Sequence, residues 1–84
     1  MQLMLTYKKE SKKETFEEFW ENKSGDFDID DKTHVLYMME FISKNLDLDE
    51  YALKRLEITI KTELPFFACK RFLAKKWLME NFEY

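Results

Sequence analysis

The sequence contains only one glycine and one proline in 84 residues. Tight hairpins between strands usually need positive φ angles, and glycine is the residue that adopts them most readily. A many-stranded sheet would need several such turns, so the shortage of glycine and proline predicts a helical fold.

Cysteine and long apolar runs are scarce as well. The single Cys69 cannot form an intramolecular disulfide, and no charged and then apolar leader opens the chain. No apolar run approaches the roughly 20 residues that span a bilayer. We therefore expect a cytoplasmic protein outside the membrane. The abundance of Lys, Glu, Asn, Phe, Tyr and Ile is typical of AT-rich genomes, including those of many phages and plasmids.

Residues suited to catalysis or metal binding are few. His34 and Cys69 are the only soft ligands, whereas a structural zinc site needs four ligands at defined spacing. No glycine-rich phosphate loop occurs, and a domain of this size has little depth for a catalytic cleft. We expect no enzymatic activity, no cofactor and no metal, with Cys69 a buried thiol and His34 at the edge of a helix.

The segment GDFDIDDKTH, residues 25–34, holds four aspartates within six positions. A calcium-binding EF-hand loop starting at the first of them needs glycine at position 6 and glutamate at position 12, but Asp31 and Tyr37 occupy those positions. The segment is instead typical of a boundary between helices. It predicts that the glycine ends one helix with a positive φ and that Asp28 or Asp30 caps the next.

Hydrophobic spacing predicts four helices. Their expected ranges are about 12–22, about 30–45, about 47–64 and about 65–82. Capping boxes at Ser11 with Glu14 and at Thr15 with Glu18 support the first helix. In the third, EITIKTEL also alternates apolar and polar residues, so residues 57–63 allow a strand as the alternative.

The predicted fourth helix has apolar residues on every side. Such a helix is either central and buried or presents an apolar strip to a partner. The predicted fold is an all-α, compact four-helix domain over residues 1–84, with the fourth helix near the centre and residues 1–11 as an extended arm or short strand. The alternative is a small α+β fold in which residues 2–7 pair with a strand at 56–61.

Charge is unevenly distributed along the chain. Residues 14–50 carry twelve acidic residues and three lysines, a net charge of −9, while the segments on either side carry +3 each. An acidic face of this kind favours a basic partner. The candidate partner-binding residues are Asp26, Asp28, Asp30, Asp31, Asp47, Asp49 and Glu50.

A second candidate surface is basic and aromatic. Its residues are Lys70, Arg71, Lys75, Lys76 and Trp77. The run with Thr62, Leu64, Pro65, Arg71 and Leu73 resembles the T-x-L-P-x-x-x-x-x-R-x-L runs of winged-helix repressors, which implies DNA binding through a helix-turn-helix at 62–80. The supposed groove face carries two phenylalanines, and no separate short helix precedes the turn.

These patterns favour a small non-catalytic regulator or inhibitor, of the kind that phages and plasmids encode. It would bind another protein, such as a basic nucleic-acid-binding protein, through its acidic face. One alternative is a DNA-binding regulator that uses residues 62–80. A third interpretation is a structural subunit that forms a homodimer through the aromatic residues of the fourth helix.

Overall fold

The computed structural model describes residues 3–12 and 14–83 and has four helices. They are α1 (Phe16–Glu21), α2 (Lys32–Leu46), α3 (Glu50–Thr62) and α4 (Arg71–Asn81). Within the described residues there is no β-strand, only isolated bridges between Lys9 and Asp31 and between Asp26 and Lys70. The all-α, four-helix prediction is confirmed. None of these helices is both long enough and apolar enough to cross a membrane.

Residues 57–63 belong to α3 and its C-terminal cap, so the strand alternative and the α+β fold built on it were wrong. The buried residues Ala52, Leu56 and Ile60 recur every four residues and follow one face of the helix. Helical spacing therefore explains the apolar positions better than alternation does. Gln2, part of the proposed partner strand, lies outside the described residues.

Side-chain caps mark the starts of α1, α2 and α3, whereas α4 has no side-chain cap. Thr15 and Glu18 form the predicted capping box at α1. At α2 the predicted caps were wrong, because Asp31 accepts the hydrogen bond from the Thr33 amide. Asp49 caps α3 by accepting from Ala52.

The second predicted capping box, at Ser11 and Glu14, does not form. The Ser11 amide donates to Asp31 at 3.1 Å, and the Glu14 carboxylate binds Arg71. Residues 3–12, which we call the N-terminal arm, form neither a helix nor a strand, and α1 begins four residues later than predicted. The predicted short strand is therefore absent from the described part of the arm.

Gly25 does not have the predicted positive φ. A Cβ atom at this position would lie 2.8 Å from the Asn22 side-chain nitrogen and 3.1 Å from the Arg71 Cζ atom. A side chain here would press on the Arg71 and Asn22 side chains, which favours glycine at this position. Among the described residues, a positive φ occurs instead at Asp47, at 53°, where α2 ends.

The fourth helix is shorter than predicted because residues 65–70 form a turn. Ala68 donates to the Pro65 carbonyl at 3.0 Å, and the Cys69 carbonyl accepts from Phe27 at 2.8 Å. The second bond connects the turn to the segment before α2, and α4 begins only at Arg71. Cys69 is exposed, which corrects the expectation of a buried thiol.

The core forms around α2, which packs against both α3 and α4. It consists of residues from all four helices and two loops: Phe19, Phe27, Val35, Met38, Met39, Ile42, Leu56, Ile60, Ala68, Ala74, Leu78 and Phe82. Because α4 buries only Arg71, Ala74 and Leu78, the prediction of a central fourth helix was wrong.

Candidate functional site

The aspartates at positions 26, 28 and 30 form ion pairs within the protein. The pairs are Asp26–Lys70 at 2.6 Å, Asp28–Lys9 at 3.0 Å and Asp30–Lys61 at 3.5 Å. Lys70 also lowers the pKa of the Asp26 carboxyl. The three lysines come from the arm, from α3 and from the residue before α4. Much of the negative charge of this segment is therefore neutralised by the fold.

Asp31, also predicted to meet a partner, is only 5% exposed. Its carboxylate caps α2 and lies 3.8 Å from the His34 Nε2 atom. The His34 Nδ1 atom accepts a hydrogen bond from the Asp28 amide, so a neutral ring carries its hydrogen on Nε2. Burial lowers the pKa of His34 although Asp31 opposes that shift. Asp31 stabilises the local fold and is not accessible.

Arg71 is buried and forms contacts that sequence analysis did not predict. Its guanidinium binds both oxygens of Glu14, at 2.8 and 3.1 Å, and lowers the pKa of that carboxyl. It also donates to the carbonyls of Phe19 and Asp26 and lies 4.0 Å from the centre of the Phe19 ring. A guanidinium with these contacts cannot reach a phosphate.

The other residues of the basic candidate surface make separate contacts within the protein. Lys70 is paired with Asp26, the Lys75 ammonium lies 5.2 Å from the Phe41 ring centre, and Trp77 packs on the core. Of the five residues of this surface, Lys76 alone has no ion pair, ring contact or core packing with another described residue. The structure thus breaks up the predicted basic surface.

Asp47, Asp49 and Glu50 lie in and beside the turn between α2 and α3, and we call them the acidic corner. All three are exposed. Asp49 caps α3, and no lysine, arginine or histidine in the described parts of the chain forms an ion pair with any of them. Of the predicted acidic residues, these are the ones that form no ion pair with a described residue.

A groove of about 680 Å³ runs between the N-terminal arm and α3 beside the acidic corner. We call it the α3 groove. Its lining residues are Leu3, Met4, Met39, Glu50, Leu53, Lys54 and Glu57. The volume lies within the roughly 300 to 1,000 Å³ of ordinary ligand sites. Apolar side chains and two carboxylates share its walls.

Glu57 is 2% exposed and holds the arm in place. Its carboxylate accepts hydrogen bonds from the amides of Met4 and Leu5, each at 2.9 Å, and from the Tyr7 hydroxyl at 2.5 Å. Burial raises the pKa of Tyr7, and the Glu57 carboxylate raises it further. Sequence analysis missed Glu57, although a glutamate between Leu53 and Ile60 on the apolar face of α3 was a usable signal.

An exposed aromatic pair lies in the turn before α4. Phe66 is 94% exposed and Phe67 is 54% exposed, with their rings edge to face at 6.1 Å. On α4 itself, Phe72 and Met79 are partly exposed and line a shallower groove of about 430 Å³. Apolar surface is therefore available on this side of the molecule as well.

No group of three or more histidine, cysteine or carboxylate residues within 3–12 and 14–83 is arranged to hold a metal ion. The acidic corner and the α3 groove, which share Glu50, are the candidate site. Comparison with protein-family models, with curated protein sequences and with solved structures finds no match for this chain.

Proposed function

We propose that this protein is a small, non-catalytic regulator or inhibitor that binds a basic surface of another protein. The acidic corner and the α3 groove form its contact surface. The observation that carries this proposal is the position of Glu50, which belongs to both features. An open apolar groove beside acids that have no cation of their own suits a basic partner.

Charge complementarity gives such binding a definite kinetic character. Negative residues that are not neutralised within the protein attract a basic surface before contact, which speeds association at low salt. The apolar walls of the groove then slow dissociation, because burying apolar surface stabilises the complex. Binding of this kind blocks the partner's own basic site, as suits an inhibitor acting in the cytoplasm on a nucleic-acid-binding protein.

The proposal is tested by the double variant Asp47→Asn/Glu50→Lys, which raises the charge of the acidic corner by three. Asparagine is chosen at position 47 because it tolerates the positive φ found there. A matched control, Glu17→Lys/Glu21→Gln, makes the same charge change at exposed positions on α1. We expect the first variant, but not the second, to lose capture of partners from an extract of the native host.

The capture is quantified by mass spectrometry at low and moderate salt, with the tagged wild-type protein as reference. The captured amount of each specific partner should fall about tenfold or more with Asp47→Asn/Glu50→Lys, which we call the corner variant. Such a fall is consistent with the loss of charge contacts at an interface. Equal losses with both variants would show a general charge effect. Unchanged capture by the corner variant would remove the acidic corner from the interface.

A second candidate function is self-association, and the aromatic pair is the observation that favours it. Large aromatic side chains commonly form the centre of an interface, and Phe66 is almost fully exposed. Sedimentation of the wild-type protein should then show a dimer that Phe66→Ser/Phe67→Ser abolishes. The control variant Tyr51→Ser/Ile58→Ser alters two exposed residues of α3. A wild-type monomer at high concentration would reject the dimer.

Direct DNA binding through residues 62–80 has less support from the geometry. Arg71 is buried, and Lys70 and Lys75 are engaged within the protein. Phosphate contacts are strongest at low salt. Titration with duplex DNA at low and moderate salt should therefore show no binding in either condition. Binding at low salt that weakens steeply with added salt would revive this alternative.

A further inference from the structure

We propose that the α3 groove is a binding site for an organic cation, the ammonium or guanidinium group of a lysine or arginine side chain that a partner protein inserts. This rests on the proposed function and identifies the chemical group that the site recognises. The cation would bind the exposed carboxylate of Glu50, with the buried carboxylate of Glu57 adding to the negative charge of the groove wall, and its alkyl chain would lie against the apolar walls.

The first argument is the charge of Glu57. Its carboxylate accepts hydrogen bonds from two amides and one hydroxyl, but these donors are neutral. No lysine, arginine or histidine of the described residues forms an ion pair with it. Buried carboxylates usually have a cationic partner, because hydrogen bonds alone leave a net charge in a medium of low polarity.

The lysines of α3 do not supply that partner. Lys61, one turn beyond Glu57, donates to the Ile29 carbonyl at 3.0 Å and lies over the Tyr7 ring at 4.5 Å. Lys54 lines the groove but is exposed and forms no ion pair with Glu50 or Glu57. The lining residues that the structure describes include two carboxylates and one ammonium, so these residues together carry a net negative charge.

The second argument is the apolar part of the lining. Met39 is buried and Leu53 half-buried, while Leu3 and Met4 come from the arm. Methionine side chains adapt to differently shaped occupants. The alkyl portions of lysine and arginine are themselves apolar and pack on such surfaces while the charged group stays at a polar site. A volume of about 680 Å³ also leaves room for a neighbouring apolar side chain.

The site is tested on the isolated, full-length protein with defined probes. The peptide acetyl-Leu-Lys-Leu-amide is titrated while the methyl NMR signals of Met39 and Leu53 are followed. Two comparison probes are the same peptide with norleucine in place of lysine, which removes the charge, and hexanoate, which reverses it. Hexylammonium tests whether a free amine is sufficient. We expect saturable shifts with the lysine peptide, at about tenfold higher affinity than with norleucine.

Variants at an exposed position of the groove avoid disturbing the fold. Met4 is 66% exposed, so Met4→Arg supplies an internal cation to the groove, and Met4→Gln is a control of similar length without charge. The arginine variant should weaken binding of the lysine peptide about tenfold more than the glutamine variant does, because both lose the methionine contact and only arginine adds a positive charge. Glu50→Gln, at an exposed position of the same groove, should reduce the preference for lysine over norleucine.

Each possible result either supports or overturns the proposed cation site. Equal binding of the lysine and norleucine peptides, or binding of hexanoate, would overturn the cation site, as would the absence of saturable shifts. Tight binding of hexylammonium with no gain from the peptide would assign the site to a free amine and overturn the protein-partner source. Selective binding of the lysine peptide combined with unchanged partner capture by the corner variant would keep this site and reject the proposed function.

Discussion

At the scale of single residues, charged side chains hold distant segments together. Arg71 connects Glu14, the end of α1 and the loop before α2 through one guanidinium. His34 connects that loop to α2, and its ring packs against Phe19. These residues resemble binding or titrating groups in sequence, but their contacts make them structural.

Replacing Arg71 by methionine should lower the free energy of unfolding by about 2 to 4 kcal/mol. The change leaves Glu14 and two backbone carbonyls without their donor, and breaking a buried pair from one side is strongly destabilising. The partial exposure of Glu14 places the effect toward the lower end of that range. Urea unfolding measures it, with Lys76→Met on the exposed side of α4 as a control expected to stay within about 0.5 kcal/mol.

Stability should fall as the pH is lowered from 7 toward 5, because of His34. Burial holds its folded-state pKa below the ordinary value of 6.5, so the unfolded chain binds the proton first. The stability that neutral His34 contributes is fully present above pH 6.5 and is lost as the pH falls toward the folded-state pKa. Urea unfolding at several pH values measures this, and His34→Gln should flatten the curve in that window.

A further loss is expected at lower pH in both proteins. Arg71 holds the pKa of Glu14 below its usual 4.5, so that stabilisation is present above pH 4.5 and disappears as the carboxyl is protonated. If His34→Gln shows the same slope as the wild type between pH 5 and 7, His34 is not the group responsible.

At the scale of elements, the N-terminal arm is bound to α3 mainly by one carboxylate. The arm has no strand to pair with, and its backbone amides at Met4 and Leu5 depend on Glu57. The six-residue α1 is similarly too short to be stable alone, and it relies on its capping box and on the buried Phe19. Both elements need the rest of the molecule to define their conformation.

Glu57→Gln should loosen the arm and lower the free energy of unfolding by about 1 to 3 kcal/mol, because an amide accepts fewer and weaker hydrogen bonds than a carboxylate. Amide hydrogen exchange at Met4 and Leu5 should accelerate, while exchange in the middle of α2 follows only the change in global stability. Glu80→Gln, exposed on α4, is the control. Unchanged protection of the arm would show that other contacts hold it.

At the scale of the whole molecule, the segregated charge of the sequence is partly cancelled by folding. Basic residues of the arm, of α3 and of the start of α4 meet the acidic loop 26–31. Of the seven acidic residues predicted to bind a partner, those of the acidic corner beside the α3 groove form no ion pair with a described residue. Negative charge is therefore distributed differently in space than along the chain.

Raising the salt concentration should change stability and partner binding to different extents. Exposed ion pairs such as Lys9–Asp28 are screened by solvent and contribute little to stability, so the free energy of unfolding in urea at 0.5 M NaCl should stay close to that at low salt. Association with a basic partner should slow steeply over the same range. A large loss of stability would mean that the ion pairs dominate the fold.

The accuracy of sequence prediction depended on how local each signal was. The stripe of Val35, Met38, Met39 and Ile42 predicted α2 because residues three and four apart share a helix face. The capping box at Thr15 was also predicted correctly, because it needs only hydrogen bonds between two residues three positions apart. The start of α4 was misplaced because residues 65–70 are held by hydrogen bonds to residues about 40 positions away in the chain.

The sequence by itself determined the helical class, the existence of four helices and the cap at Thr15, since these follow from spacing and side-chain chemistry within a few residues. Only the tertiary structure decided which charges are neutralised. Arg71 and Glu14 are 57 residues apart, and Glu57 meets the arm across 50 or more. Ion pairing depends on distance in space, so the acids left free for a partner could be recognised only after folding.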